Sequence, residues 1–277
     1  AGFSFFIFLN EIINQINWTV DTTLLGIISG TAATAIYGVG SQINQYYMAL
    51  STSISGVFTP QINRIVARGE GDEQLTKLCT RVGRIQFMLL MLVLTGFVFV
   101  GEPFICAWGG EEYGAAYWIA LLLIAPVTVP LIQNIGIEIQ RAKNMHQFRS
   151  KIYFCMAIGN ALVSIPLGMK FGGIGCALGT AISMVVGNGF IMNWYYQTHI
   201  GLDMRYFWKH ILSIVPAMLP AVALGIIAVR LHTFTGYAGV VTFAVPYAAV
   251  YAVGLYLFAM DESEKNMVRG VMRKIRR

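Results

Sequence analysis

The strongest constraint on this chain is a series of apolar runs, each close to the thickness of a bilayer. A helix needs about 20 residues to cross ~30 Å of hydrocarbon. Eight runs qualify as candidate spans, at approximately 3–29, 33–62, 85–101, 117–140, 152–169, 174–196, 211–229 and 237–260, the third and fifth being short. They are continuously apolar and lack a ten-residue alternation, which argues for helices and against a barrel. Composition agrees, because only 12% of the residues are charged, against about 25% in a soluble domain. So few charges do not cover the surface of a water-soluble globule. A cytosolic enzyme, a nucleic-acid binder and a disordered chain are excluded on that ground. The expected class is an all-α polytopic membrane protein of about eight spans.

The basic residues orient it. With both termini on one side, that side collects Arg64, Arg68, Lys77, Arg81, Arg84, Arg141, Lys143, Arg149, Lys151, Arg205 and Lys209. It also holds the six basic residues of the tail from Lys265 to Arg277. The other side holds Lys170 and Arg230, with Glu102, Glu111 and Glu112 in its longest loop. Excess Lys and Arg mark the cytoplasmic face, so both termini are expected in the cytoplasm and the net charge of +6 is topogenic. The chain opens on Ala1 and runs straight into Gly2-Phe3-Ser4-Phe5-Phe6. It has neither a basic n-region nor a small-residue cleavage site, so this is not a signal peptide. The reading is of a fragment whose N-terminal part is missing.

Polar residues at membrane depth point to function. In the first span Asn10, Asn14, Asn17 and Asp21 fall within an arc of about 60° at 100° per residue, with Glu11, Gln15 and Trp18 beside them. Such a face does not look at lipid, since an acid near the bilayer centre costs about 2.5–3.5 kcal/mol even on lenient scales. Interhelical packing would suffice for two or three amides; six polar groups with two acids favour a hydrophilic pathway. The second span adds Ser41, Gln42, Asn44 and Gln45, which serve equally well for packing or for a polar solute. Glu138 stands three residues before Arg141, as a local ion pair requires. Asn160, Asn188 and Asn193 read as packing. Pro126, Pro130, Pro216, Pro220 and Pro246 lie inside spans and invite kinks. Gly26/Gly30 and Gly175/Gly179 have the spacing of close helix contacts.

Enzymatic sets are absent from the sequence. The histidines are scattered, there is no Ser/His/Asp constellation, and Cys79, Cys106, Cys155 and Cys176 lack metal spacing. No cofactor is expected.

The segment Asp21-Thr22-Thr23-Leu24-Leu25-Gly26, then Gly30 and Ala35-Ile36-Tyr37, resembles the start of the second lobe of polysaccharide or oligosaccharide flippases. These belong to the superfamily that includes multidrug and toxin extrusion transporters. The run Gly172-Gly173-Ile174-Gly175-Cys176-Ala177-Leu178-Gly179-Thr180-Ala181-Ile182-Ser183 resembles that family's penultimate helix pair, and His199-Ile200-Gly201-Leu202-Asp203 resembles the loop before its last spans. The resemblance implies a six-helix C-terminal lobe over 1–200, an additional helix pair over 201–260 and a basic cytoplasmic tail over 261–277. An N-terminal lobe of the same protein would be the missing partner. It further implies flipping of an undecaprenyl-pyrophosphate-linked oligosaccharide across the bacterial inner membrane. Alternating access would be driven by an ion gradient, H+ or Na+, or by the membrane potential. The cavity would be lined by Asn10, Glu11, Asn14, Gln15, Asn17, Asp21, Gln42 and Gln45. A pyrophosphate calls for cations; the candidates are Arg64, Arg68, Arg84 and Arg141 at the cytoplasmic mouth, although topogenic charge is the commoner role of such residues. The rival reading is a cation-coupled multidrug exporter of the same fold, in which Glu11 and Asp21 bind substrate or ion. A second rival is a membrane scaffold that uses its amides only for packing.

Overall fold

A computed structural model describes residues 21–275 apart from Glu70 and His146. Every regular element among them is helical. Residues 21–28 form α1. It is followed by α2 (Gly30–Arg68), α3 (Asp72–Gly109), α4 (Ala116–Ile132), α5 (Asn134–Ala142) and α6 (Gln147–Met184). Helical structure continues past α6 through the π-helical turns Val185–Met192 and Tyr196–Ile200, which flank the short α7 (Asn193–Tyr195). The chain ends with α8 (Met204–Leu212), α9 (Val215–Leu231), α10 (Gly236–Phe258) and α11 (Glu262–Ile275).

Four of the described helical stretches are long and apolar enough to cross a membrane: Asp72–Gly109, Gln147–Ile200, Met204–Leu231 and Gly236–Phe258. A fifth is the pair α4–α5, bent by 44°. The second expected span, α2, is long enough but too polar to join them, because Ser, Thr, Gln and Asn recur along it. Most of the first span lies outside the described residues.

The 54-residue stretch Gln147–Ile200 would measure about 80 Å if straight, far more than a bilayer. It is not straight. Gly172 takes φ 59°, ψ −137°, a backbone conformation open only to glycine, and there the chain doubles back into a hairpin. A Cβ on Gly175 would strike the carbonyl of Leu167, and one on Gly179 would strike Ser164, so the arms meet backbone to backbone. Gly26 and Gly30 differ from expectation. No described atom crowds either beyond ordinary contact, and Gly30 serves with φ +80° as the turn into α2.

Pro126 and Pro130 lie inside α4, each removing one amide donor from the turn before it, and the helix ends at Gln133, beyond which α5 sets off at 44°. The expected cytoplasmic loop 64–84 is mostly helix. Helix α2 runs to Arg68, Gly69 caps it in the left-handed region, and α3 begins at Asp72. Likewise the expected 101–116 loop is shortened by α3, which continues to Gly109. Polar ends carry these helices beyond the apolar stretch that a sequence reading counts. Gly201 (φ 85°) ends the hairpin, and the Asp203 carboxylate caps α8 by accepting from the amides of Arg205 and Tyr206 at 3.0 Å each.

One large apolar core joins α2, α3, α4–α5, the returning arm of the hairpin and α8–α10; Ile62, Val82, Leu90, Ile132, Phe207, Ile211 and Tyr247 are among its buried members. A second, smaller core gathers Leu25, Tyr37, Ile119, Leu123, Cys176 and Ala177 from α1, α2, α4 and the hairpin. The polar site lies against these two cores.

Candidate functional site

The bend at Gln133 turns α5 away from α4 and leaves room beside α2 and the hairpin. A cavity of about 360 Å³ occupies it, lined in part by Thr52, Asn134, Arg149, Tyr153, Asn160, Thr180 and Asn188. A further hollow of about 300 Å³ adjoins it, sharing Thr52, Asn134, Ile137 and Arg149 and reaching Thr59, Glu138 and Arg141. The first is within the size range of small-molecule sites, about 300–1,000 Å³. Its polar groups come from four different helical segments, so only the assembled fold makes it.

Several polar side chains in and behind this wall are held by other side chains. Tyr153 donates its hydroxyl to Asn188 Oδ1 (2.9 Å), tying the two arms of the hairpin. Asn134 Nδ2 donates to Ser51 Oγ (3.2 Å), and Ser51 Oγ donates to the Leu131 carbonyl (2.9 Å) at the α4 bend. Behind them the buried Gln86 amide donates to the Ser51 carbonyl, Ser51 Oγ and Ser55 Oγ at 3.0, 2.9 and 2.7 Å. Gln133 Nε2 donates to Asn193 Oδ1 (3.0 Å), which fixes the break. In hydrocarbon such groups need internal partners, and their pairing sets the wall in place.

Asp21 is buried at the inner end of this wall. Its Oδ2 accepts from the Tyr37 hydroxyl at 2.6 Å and from Thr180 Oγ1 at 2.5 Å. Thr180 Oγ1 also lies 3.2 Å from Asn160 Oδ1, to which Ser164 Oγ donates at 2.8 Å. Ser164 Oγ stands 3.3 Å from the Cys176 carbonyl oxygen. One carboxylate, one amide oxygen, three hydroxyls and one carbonyl therefore converge, all hard donors of the kind that hold alkali or alkaline-earth cations or share a proton. Among the described residues, no group of three or more His, Cys, Asp or Glu side chains assembles as a metal site. Thr180 and Asn160 belong both to this cluster and to the cavity wall, so the carboxylate is one hydrogen bond from the cavity.

Asn10, Glu11, Asn14, Gln15 and Asn17 lie outside the described residues. Gln42 is half-buried and Gln45 exposed, and neither lines the cavity. Gln45 does share a helix face with Thr52 and Thr59, each seven residues on. Arg64 and Arg68 sit exposed at the end of α2. Arg141 pairs with Glu138 at 2.9 Å, the local ion pair expected from their spacing. Arg84 differs: its guanidinium grips Glu264 with two bonds of 2.8 and 2.9 Å and donates to the carbonyls of His210 and Ala259. It is buried among α3, α8 and the tail helix rather than open at a mouth.

The sequence reading passed over Arg149, Thr52, Tyr153 and the Gln86 network. It took Asn160, Asn188 and Asn193 for packing; they do pack, and the first two also face the cavity.

Residues 1–118 match the family described as polysaccharide biosynthesis protein. The probable flippase AglR of Haloferax volcanii is 25% identical over 174 residues, 61% of this chain and 36% of that protein. The structure of the lipid II flippase MurJ in an inward closed conformation superposes with a TM-score of 0.73 at 16% identity, covering 91% of this chain and 52% of that one. The chain is thus similar over its first 118 residues to the polysaccharide biosynthesis protein family, and over 174 residues to a probable flippase. The chain spans about a third of the curated relative and half of the solved structure. Both of these relatives are named flippases, and the fold over nine-tenths of this chain's length is that of MurJ.

Proposed function

We propose that this chain forms one wall of a flippase that moves a lipid-linked oligosaccharide, carried on undecaprenyl pyrophosphate, across the bacterial inner membrane. The observation that carries this reading is the polar cavity between α2, α4–α5 and the hairpin, joined through Thr180 to the buried Asp21. A glycan offers many hydroxyls and little apolar surface. It suits a wall of Thr, Asn and Tyr better than a drug-like organic cation does, because the cavity's own charged residue is Arg149. That sign argues against the multidrug rival.

The mechanism follows from the two linked parts. The cavity residues exchange hydrogen bonds with sugar hydroxyls while the lipid tail stays in the bilayer. The oxygen cluster around Asp21 takes the coupling ion, H+ or Na+. Binding there replaces the hydrogen bonds from Tyr37 and Thr180, which hold α2 and the hairpin to the same carboxylate. Ion binding at that joint favours one relation of the helices over another, which is what alternating access requires. A rocking transporter needs a second body facing the cavity; the N-terminal lobe expected from the sequence supplies it. Both termini of this segment lie in the cytoplasm in this reading.

The test is surface glycan in a flippase-deficient host, using the native protein with Asn134→Leu and Asn188→Leu. Both changes preserve apolar helices and remove hydrogen-bonding groups from the wall. Glycan display should fall at least severalfold with protein level unchanged on immunoblot. Full display at normal protein level would leave these amides with a packing role alone.

A further inference from the structure

The returning arm of the hairpin departs from α-helical winding over Val185–Met192 and again over Tyr196–Ile200. Turns of this kind are rare and concentrate at functional sites. Between the two stands Asn193, the first residue of α7. Its Nδ2 donates to the carbonyls of Asn188 (2.9 Å) and Gly189 (3.0 Å). These lie five and four residues back, the acceptors that a π-turn and an α-turn would each choose, and the side chain supplies both with a donor. Its Oδ1 accepts from Gln133 Nε2 at 3.0 Å and from Trp208 Nε1 at 2.7 Å. An amide side chain has two donor hydrogens and two acceptor lone pairs, so all four are engaged. One side chain thus joins the end of α4, the π-turn and α8. The register it holds decides what meets the other arm. Gly187 packs against Met156, where a Cβ would strike the Met156 sulfur. Asn188 faces the cavity and accepts from Tyr153. A slip of one residue would turn each of these positions by about 100° and bring a side chain onto Met156. The Trp208 end is anchored in turn, because its neighbour Phe207 is buried in the main core.

We propose that Asn193 is the positioning residue of this cavity: it sets the π-helical register that presents Asn188 to the cavity, and through Trp208 it ties that register to the additional helix pair. The pair thereby shapes the cavity, although no described residue of 201–260 lines it. Asn193 acts through Asn188 and does not itself face the cavity. The consequence for transport rests on the reading above; the register does not.

The experiment reads the register by disulfide trapping in a cysteine-free form of the native protein. A Cβ on Gly187 would lie 2.6 Å from Met156 Cγ, which puts the two Cβ atoms about 4 Å apart, the span of a disulfide. Met156→Cys is combined with Val186→Cys, Gly187→Cys or Asn188→Cys, and oxidation is followed by counting free thiols with a maleimide-polymer. With Asn193 intact, the 156–187 pair should close at least threefold faster than the other two. Asn193→Leu should abolish that preference. Trp208→Phe removes one donor and keeps a ring, so it should weaken the preference in part. Thr198→Val, on the exposed side of the same arm, should leave it intact. Absence of the preference with Asn193 present, or its persistence in Asn193→Leu, overturns the proposal. Should Asn193→Leu fail to fold, Asn193→Asp, which cannot donate to the two carbonyls, and Trp208→Phe carry the test, and an unchanged preference in both overturns it equally. Surface glycan gives the second readout. Trp208→Phe should lower display at least twofold with Asn188 present and no further in Asn188→Leu, since residues that act through one another are not additive. An equal fall in both backgrounds would reduce Trp208 to a general stabiliser and overturn the positioning role. Full display by Asn188→Leu alone would count against the transport reading and leave the disulfide result standing.

Discussion

Replacing Asp21 by Asn should reduce surface glycan about tenfold or more while leaving the protein folded and at normal level. Asn has nearly the same shape and keeps an oxygen that accepts from Tyr37 and Thr180, whose bonds to Oδ2 are 2.6 and 2.5 Å. What it loses is the charge. Hydrogen bonds to an ionised group contribute about 1.5–3 kcal/mol, against ~1 for neutral ones, and a loss of 1.4 kcal/mol in ion affinity is already tenfold. Thr180→Val keeps the charge and removes one hydroxyl from both the cluster and the cavity wall, so it should be milder. Surface glycan measured with immunoblot normalisation decides the matter. Asp21→Asn with full display would remove Asp21 from the coupling mechanism and make it a packing residue.

Replacing Arg84 by Met should destabilise the protein by about 3–5 kcal/mol, the usual cost of stripping a buried charge of its partner. The stranded group is Glu264, which is 4% exposed. Glu264 is also part of a reciprocal cap at the start of α11. Its carboxylate accepts from the Asp261 amide at 2.9 Å, and the Asp261 carboxylate accepts from the Glu264 amide at 2.8 Å. Reciprocal caps of this kind satisfy two amides that a helix start leaves open. Loss of Arg84 also removes the donor to the Ala259 carbonyl, while the His210 carbonyl keeps Ser213 Oγ, so the end of α10 loosens with the tail. The double change Arg84→Met, Glu264→Leu should recover much of the loss, because replacing a whole buried pair by apolar groups is often near neutral. Thermal unfolding in detergent is the measurement. Equal melting of Arg84→Met and wild type would show that the clamp contributes no stability.

The sequence shows clearly what lies along one helix. Glu138 and Arg141 are three residues apart, and they pair. Pro126 and Pro130 announce a break, and α4–α5 bends by 44°. Gly175 and Gly179 announce a close contact, and the hairpin arms meet there. The polar character of Asp21 at membrane depth points to a buried site, and Asp21 is 1% exposed. Relations across the fold are a different matter. Thr180 reaches Asp21 from 159 positions away and Glu264 reaches Arg84 from 180. No local pattern encodes those partners, so Arg84 reads as a mouth cation when it is a clamp. Arg149 reads as topogenic because it precedes an apolar run; Tyr153 lies under it one turn on in the same helix, but its place in the cavity with Thr52 and Asn134 depends on the fold. Hydrogen bonding had a similar effect on α2. Its Ser and Thr residues look unremarkable one at a time, yet Ser51 and Ser55 meet Gln86, Thr52 lines the cavity and Thr59 the adjoining hollow.

The central claim is that the glycan lipid occupies the cavity between α2, α4–α5 and the hairpin. It is tested most directly by photocrosslinking in living cells. A photoreactive phenylalanine analogue is placed at Thr52 or Met156, both on the cavity wall, or at Leu257, which is 61% exposed on the outer face of α10. The cells carry radiolabelled lipid-linked oligosaccharide. Label on protein from the Thr52 and Met156 sites, several times that from Leu257, is the result this account predicts. Equal labelling at all three positions, or labelling from Leu257 alone, would contradict it.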